Sequence, residues 1–80
     1  MKAEHLVHMA NQISQFFESQ PTRDEAVAGV LDHIKRFWDP RMRDAIIKHA
    51  EDGSDALREV ARAAVLRLAA ERAESGTRAA

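Results

Sequence analysis

The sequence predicts a small all-α domain, a four-helix bundle-like fold with short connections and no sheet. Apolar residues recur at helical spacing in four successive segments. Prolines, glycines and residues that favour helix caps separate these segments. Alternating apolar and polar runs, which are typical of half-buried strands, are missing. Eighty residues suffice for one such domain, which we expect to span residues 1–74.

The first helix is expected over residues 3–19. Ser19, Gln20 and Pro21 end it, because the residue before a proline is pushed away from α-helical backbone angles. Its apolar stripe consists of Leu6, Met9, Ala10, Ile13, Phe16 and Phe17.

The second helix is expected over residues 23–38. Thr22 and Glu25 form a capping-box pattern, in which the Thr hydroxyl and the Glu carboxylate each accept a backbone amide of the first turn. The stripe repeats the spacing of the first helix and also ends in an adjacent aromatic pair. Its members are Val27, Val30, Leu31, Ile34, Phe37 and Trp38.

The third helix is short and is expected over residues 40–52. Asp39 suits the N-cap, and Pro40 suits the first helical position, where its missing N–H costs nothing. Gly53 can end the helix in a left-handed conformation. One face carries Met42, Ala45, Ile46, His49 and Ala50.

The fourth helix is expected over residues 55–74, with Ser54 or Asp55 as its cap and Gly76 as its latest end. Ala and Arg are strong helix formers, so propensity and pattern agree. Residues 75–80 are expected to form a flexible tail. The stripe consists of Leu57, Val60, Ala61, Ala64, Val65, Leu68 and Ala69.

The residue types provide no basis for an active site of the chain's own. Cysteine is absent, which excludes disulfides, zinc–thiolate sites and a cysteine nucleophile. His5 and His8 have helical spacing for a shared metal, but a site needs three or four ligands, so solvated surface histidines are favoured. We expect His49, on an apolar face, to be buried and hydrogen-bonded. Glycines are isolated, so no phosphate-binding loop is predicted.

The segment at residues 34–49, "IKRFWDPRMRDAIIKH", concentrates basic and aromatic character. Between His33 and Lys48, five Lys and Arg residues face two Asp residues, a local balance of +3. Phe37 and the single tryptophan, Trp38, either close the core or join a contact surface. Both possibilities are open from the sequence.

Four cations of this segment differ in how well their helix positions suit a positive charge. Lys35 and Arg36 lie in the last turn of the second helix, where cations complement the helix dipole. Arg41 and Arg43 lie in the first turn of the third helix, where a cation is disfavoured by a few tenths to about 1 kcal/mol. Unless Asp39 and Asp44 offset them, these arginines indicate an anionic contact, since the guanidinium fork suits carboxylates and phosphates.

A small DNA-binding regulator is an alternative for a basic turn between two helices. The third helix carries Ile46 and Ile47 where polar side chains would have to read base edges, and the net charge of the chain is −1. We therefore expect no nucleic-acid partner.

The polar residues among the first twenty do not fit a secretory signal, and no apolar run is long enough to cross a bilayer. A cytoplasmic protein without membrane contact is expected.

Three ordered blocks give a closer comparison: Met9 to Ile13, Ala26 to Gly29, and His33 to Arg43 within "HIKRFWDPRMR". With them, residues 5 to about 50 resemble the delta subunit of NAD-dependent, molybdenum-containing formate dehydrogenases. From about Glu51 the likeness is limited to helical character and length.

The resemblance implies a non-catalytic accessory subunit of an oxidoreductase complex that converts formate to carbon dioxide and reduces NAD. The large alpha subunit would carry the molybdopterin guanine dinucleotide centre, and the beta and gamma subunits would pass electrons through iron–sulfur clusters and FMN to NAD. This chain, without cysteine, would bind none of these cofactors. A transient maturation chaperone for the same enzyme is the alternative.

The chain is expected to dock on the large subunit. Without that partner, an isolated chain could self-associate through its exposed apolar patch. Asn11 and Gln12 would lie on the polar flank of the first helix. The predicted partner-binding residues are Asn11, Gln12, Lys35, Arg36, Phe37, Trp38, Asp39, Pro40, Arg41 and Arg43.

Overall fold

The computed structural model describes residues 2–53 and 55–79, with side chains described as far as residue 74. Within these ranges there are four α-helices and no strand, which confirms the all-α prediction. None of the helices among these residues is long and apolar enough to cross a membrane. The helices are α1 (Ala3–Phe17), α2 (Arg23–Phe37), α3 (Pro40–Glu51) and α4 (Glu59–Ala79).

A single apolar core lies between the helices. α2 packs against both α1 and α4, while α3 packs against α4 and α1. The bundle measures 39 × 28 × 23 Å along its principal axes. The largest fully buried apolar side chains come from all four helices, and they are Leu6, Val30, Ile34, Ile46 and Val65.

The predicted N-cap roles of Thr22 in α2 and Asp39 in α3 are confirmed. The Thr22 hydroxyl accepts a hydrogen bond from the backbone N–H of Glu25 at 3.1 Å. An Asp39 carboxylate oxygen accepts from the N–H of Met42 at 3.0 Å, with Pro40 as the first helical residue. Gly53 has φ +83°, the left-handed conformation that ends α3 without steric strain. Local sequence therefore specifies where these two helices begin and where α3 ends.

Two aromatic residues of the predicted apolar stripes point outwards. Phe16 and Phe37 are each 71% exposed. Successive helical residues are separated by about 100° around the axis, so two adjacent rings at the edge of a stripe point in different directions. In α1 the half-buried residue is Phe17, and at the end of α2 the buried residue is Trp38.

The buried face of α1 is also rotated relative to the predicted stripe. Val7 and Ser14 are buried, although the sequence indicated that Ser14 would lie off the apolar stripe. The Ser14 hydroxyl donates a 2.6 Å hydrogen bond to the carboxylate of Glu18, one turn later. A satisfied hydroxyl can be buried at little cost, so Ser14 fits a core position that the apolar pattern does not reveal.

The start of α4 differs from the prediction. The helix begins at Glu59 instead of residue 55, and Ser54, one of the two predicted caps, lies outside the described residues. An external residue supplies the cap, because the amide oxygen of Asn11 in α1 accepts from the N–H of Arg58 at 2.8 Å. A cap donated across the tertiary structure leaves no signal in the local sequence.

The far end of α4 also differs. The backbone is helical through Ala79, beyond residue 74 and beyond Gly76, where the sequence predicted the helix to end. A glycine inside a helix costs only about 1 kcal/mol relative to alanine, so it weakens a helix without having to end it. The last residue of the predicted tail, Ala80, lies outside the described residues. The other predicted helix ends, at 19, 38 and 52, lie within two residues of the observed ends.

Candidate protein-docking site

Four rings form a continuous aromatic surface across the outer sides of α1 and α2. The ring centroids of Phe16 and Phe17 are 5.0 Å apart in an edge-to-face arrangement. Phe17 and His33 are 6.5 Å apart, and His33 and Phe37 are 4.8 Å apart. We call Phe16, Phe17, His33 and Phe37 the aromatic face. Such spacings are favourable for ring pairs, so the four side chains stabilise one another's positions.

A shallow groove of about 360 Å³ runs beside these rings. Its lining consists of Gln12, Ile13, Phe16, Phe17 and His33. Gln12 is exposed at this groove, whereas Ile13 is half-buried and packs against the core. The groove combines a mostly apolar floor with one amide group, a composition typical of a protein-binding surface.

Gly29 allows the ring of Phe17 to lie directly on the backbone of α2. A Cβ atom at residue 29 would lie only 2.3 Å from Cδ1 of Phe17 and 2.6 Å from its Cε1. Any other residue at position 29 would therefore displace the ring. A glycine inside a strong helical pattern commonly indicates close packing, so the sequence carries a signal for this contact.

At the junction of α2 and α3, the two aromatic residues whose roles were open from the sequence have different environments. Trp38 is only 4% exposed and belongs to the core, and its backbone N–H donates to the backbone carbonyl of Ile34 at 3.0 Å. Phe37 belongs to the aromatic face. Of this aromatic pair, only Phe37 is exposed.

Two of the four predicted basic residues, Lys35 and Arg36, have ion pairs within the chain. Lys35 bonds to the carboxylate of Glu71 in α4 at 3.0 Å. Arg36 pairs with Asp32, one turn earlier in α2, at 3.0 Å. Arg41 is exposed at the first turn of α3. Lys35 and Arg36 therefore have counterions within the chain.

Arg43 has a different environment. It is half-buried, and it lies at a pocket of about 430 Å³ between α2, α3 and α4. Its Nε atom is buried and has no hydrogen-bond partner among the residues that the structure describes. Lys35 and Pro40 line the same pocket. Because Lys35 and Phe37 are two residues apart on α2, they lie about 200° apart around its axis, so the pocket and the aromatic face are on different sides of the helix.

Both the oxygen and the nitrogen of the Asn11 side-chain amide make hydrogen bonds. Its oxygen caps α4, and its Nδ2 donates to the carbonyl of Ala56 at 2.9 Å. The neighbouring Arg58 guanidinium makes two 2.8 Å hydrogen bonds to the carboxylate of Glu18 in α1. Together Asn11 and Glu18 attach the start of α4 to α1, which gives Asn11 a structural role.

The pKa of Glu18 is lowered from 4.5 to about 2. Hydrogen bonding from the Arg58 side chain is the largest cause, and hydrogen bonding from the Ser14 hydroxyl is the second. At the other side of α4's first turn, Arg23 bonds bidentately to Glu59 at 2.6 Å and lowers the pKa of that carboxyl. Both carboxylates anchor the start of α4.

The histidines do not form a metal site among the described residues, where no group of three or more His, Cys, Asp or Glu residues could hold an ion. His5 and His8 are exposed. His49 is half-buried, and its Nε2 is buried without a hydrogen-bond partner, whereas the sequence predicted a hydrogen-bonded imidazole. The apolar pattern placed His49 towards the core but could not reveal that no partner atom reaches this nitrogen.

A family comparison gives these features a context. Residues 5–65 match the family described as the NADH-dependent formate dehydrogenase delta subunit, FdsD. The chain belongs to this family. No curated protein and no solved structure matches it.

The FdsD match covers the whole aromatic face, its supporting Gly29, and Arg43. It ends within α4, before Leu68, Glu71 and Arg72, which complete the pocket beside Arg43. The aromatic face therefore lies entirely inside the matched region, and the pocket lies partly outside it.

Proposed function

We propose that this FdsD-family chain is a non-catalytic accessory subunit that docks on the large molybdenum-containing subunit of an NAD-dependent formate dehydrogenase and supports its assembly or stability. The beta and gamma subunits would belong to the same complex. Membership of the delta-subunit family supports this proposal. The observation that carries the docking role is the pair of phenylalanines, Phe16 and Phe37, that stay 71% exposed on one continuous aromatic surface.

Exposed aromatic rings are well suited to anchor a protein interface. Fully burying a phenylalanine side chain contributes about 1.5–3 kcal/mol, and aromatic side chains are enriched at interfaces. Phe17 and His33 hold the two outer rings at defined spacings, so little side-chain entropy remains to be lost on binding. The groove at Gln12 supplies a hydrogen-bonding group beside these rings.

The cofactors of the reaction would belong to the other subunits. Iron–sulfur clusters are held by cysteine thiolates, and this sequence contains no cysteine. The chain's residues therefore do not fit cluster ligation, and we assign it no step in the passage of electrons. Its contribution to formate oxidation would be exerted through the partner that it contacts.

Co-purification with the enzyme tests the docking role. In a Phe16→Ala/Phe37→Ala variant co-expressed with an affinity-tagged large subunit, we expect the amount of bound chain to fall about tenfold or more, because both anchors are removed. Leu66→Ala is the matched control, since Leu66 is an exposed apolar residue (38%) of α4 outside the aromatic face. Circular dichroism should show that each variant is folded, since substitutions at exposed positions usually change stability by less than about 0.5 kcal/mol.

The same measurement separates a stable subunit from a transient chaperone. A stable subunit is retained in active enzyme at a fixed ratio to the large subunit, whereas a chaperone is found with the apo-enzyme and is depleted from the active form.

Retention of the double variant at the wild-type ratio would contradict docking through the aromatic face. An isolated wild-type chain that self-associates, with the double variant remaining monomeric, would support the face as an apolar contact surface.

A further inference from the structure

The pocket beside Arg43 carries more positive than negative charge. We call it the basic pocket. It lies on the side of α2 that is turned away from Phe37, with a volume of about 430 Å³. Three cations and one carboxylate line it, a balance of +2, and the remaining lining is apolar. The residues are Lys35, Pro40, Arg43, Ile47, Leu68, Glu71 and Arg72.

Two of the three cations already have counterions in the chain. Lys35 pairs with Glu71 at 3.0 Å, and Arg72 pairs with Asp44 of α3. Arg43 takes part in none of the ion pairs found among the described residues, and its Nε is buried without an acceptor. A buried donor without a partner is unfavourable, and more so when it belongs to a charged group. Arg43 is therefore the one cation of the basic pocket that has no counterion among the described residues.

We propose that the basic pocket receives an acidic side chain, a glutamate or aspartate, from the protein on which the chain docks. This inference rests on the proposed function and adds a second contact, separate from the aromatic face. A planar carboxylate matches the edge of a guanidinium group, and a side chain can place its methylene groups against Ile47 and Leu68. Glu71 at the same pocket disfavours a phosphate, which carries about two negative charges at neutral pH.

Substitution of Arg43 tests this contact. In Arg43→Met, which keeps an apolar stem but removes the charge, we expect the dissociation constant for the enzyme complex isolated without this chain to rise roughly thirtyfold or more, as for other buried charge pairs that lose one member. The salt dependence of binding should also weaken. Arg41→Met is the matched control, because Arg41 is exposed in the same turn of α3 and does not line the pocket.

The stability of the isolated chain distinguishes a binding role from a structural one. Arg43→Met should leave the melting temperature unchanged or raise it, because the substitution removes a buried donor that has no partner. A marked fall in melting temperature, with binding reduced only in proportion to unfolding, would overturn the proposal and make Arg43 a structural residue.

Small anions identify the chemistry of the site. Titration of the ¹⁵N-labelled chain with glutarate should shift amide signals around the basic pocket in the wild type but not in Arg43→Met. Stronger binding of inorganic phosphate than of glutarate would overturn the carboxylate assignment. Wild-type binding of Arg43→Met to the complex, with loss of binding for Phe16→Ala/Phe37→Ala, would overturn the pocket contact alone. Failure of the wild-type chain to bind the complex would overturn the proposed function as well.

Discussion

Gly29 controls how closely α1 and α2 approach at the aromatic face. The ring of Phe17 occupies the space that a Cβ would need, with a closest distance of 2.3 Å. Replacing this glycine by alanine would have two opposite effects on the free energy of unfolding. Alanine would stabilise the helix by about 1 kcal/mol through its higher propensity, whereas overpacking typically costs about 1–3 kcal/mol. Since the contact involves Cγ of the ring as well as its outer atoms, we expect overpacking to prevail.

Gly29→Ala should therefore lower the free energy of unfolding, measured by urea denaturation, by up to about 2 kcal/mol. The combined variant Phe17→Ala/Gly29→Ala provides the control, because removing the ring removes the clash. In the Phe17→Ala background, the glycine-to-alanine change should be stabilising, as helix propensity predicts. A single Gly29→Ala variant that is more stable than the wild type would mean that Phe17 does not rest on the backbone of α2.

Single residues also limit what the sequence could predict. Asp39, Pro40, Thr22 and Gly53 act within one turn of the chain, so their cap and turn roles were predictable. The choice between Phe37 and Trp38 for the core was not, because both lie near the edge of one helical stripe. Tertiary packing selects Trp38 for burial and leaves Phe37 to the surface.

At the scale of elements, α1 fixes the beginning of α4. Asn11 caps the helix, and Glu18 holds Arg58, the residue just before it. The partners lie 40 and 47 residues apart in the chain, so no local pattern could indicate them. This separation explains why the start of α4 was predicted four residues early, at 55 instead of 59. It also gives Asn11, predicted as a docking residue, hydrogen bonds inside the molecule.

The link between Glu18 and Arg58 should make stability depend on acid pH. The folded-state pKa of Glu18, about 2, lies below its ordinary value of 4.5. The carboxylate therefore stabilises the fold fully above pH 4.5, and this contribution is lost as the pH falls towards 2. We expect Glu18→Gln to melt at a lower temperature at neutral pH and to lose less stability than the wild type across this acid range.

Thermal melts followed by circular dichroism at several pH values would measure this difference. Glu4→Gln is the control, since Glu4 is exposed in the first turn of α1. The control should keep the steep acid dependence of the wild type. Equal acid slopes for Glu18→Gln and the wild type would show that the attachment of α4 to α1 does not depend on this carboxylate.

At the scale of the whole molecule, the bundle presents two distinct surfaces. The aromatic face spans α1 and α2, and the basic pocket lies between α2, α3 and α4. A chain of 80 residues buries a modest fraction of its surface, so exposing two phenylalanines to water reduces a small margin of stability. A protein partner that covers these rings would recover that apolar burial, which is why we regard the assembled complex as the functional state.

The fold class could be read from the sequence because helical periodicity and caps are local properties. The candidate site could be located only in part. Five of the predicted contact residues lie at the two surfaces described above, and they are Gln12, Lys35, Phe37, Pro40 and Arg43. Phe16, Phe17 and His33 were not among them, because the pairing of rings across two helices depends on how the helices pack. Arg43 could be singled out as an unusual cation, but its unpartnered Nε is a property of the packed structure.

Site-specific photo-crosslinking in the assembled enzyme tests the docking claim most directly. A photoreactive phenylalanine derivative would be placed at position 37 of the aromatic face and, as a control, at position 66 of α4. After irradiation and digestion, mass spectrometry would identify the crosslinked peptides. We predict that position 37 crosslinks to the large molybdenum-containing subunit and that position 66 gives little or no product. Efficient crosslinking from position 66, with none from position 37, would contradict docking through the aromatic face.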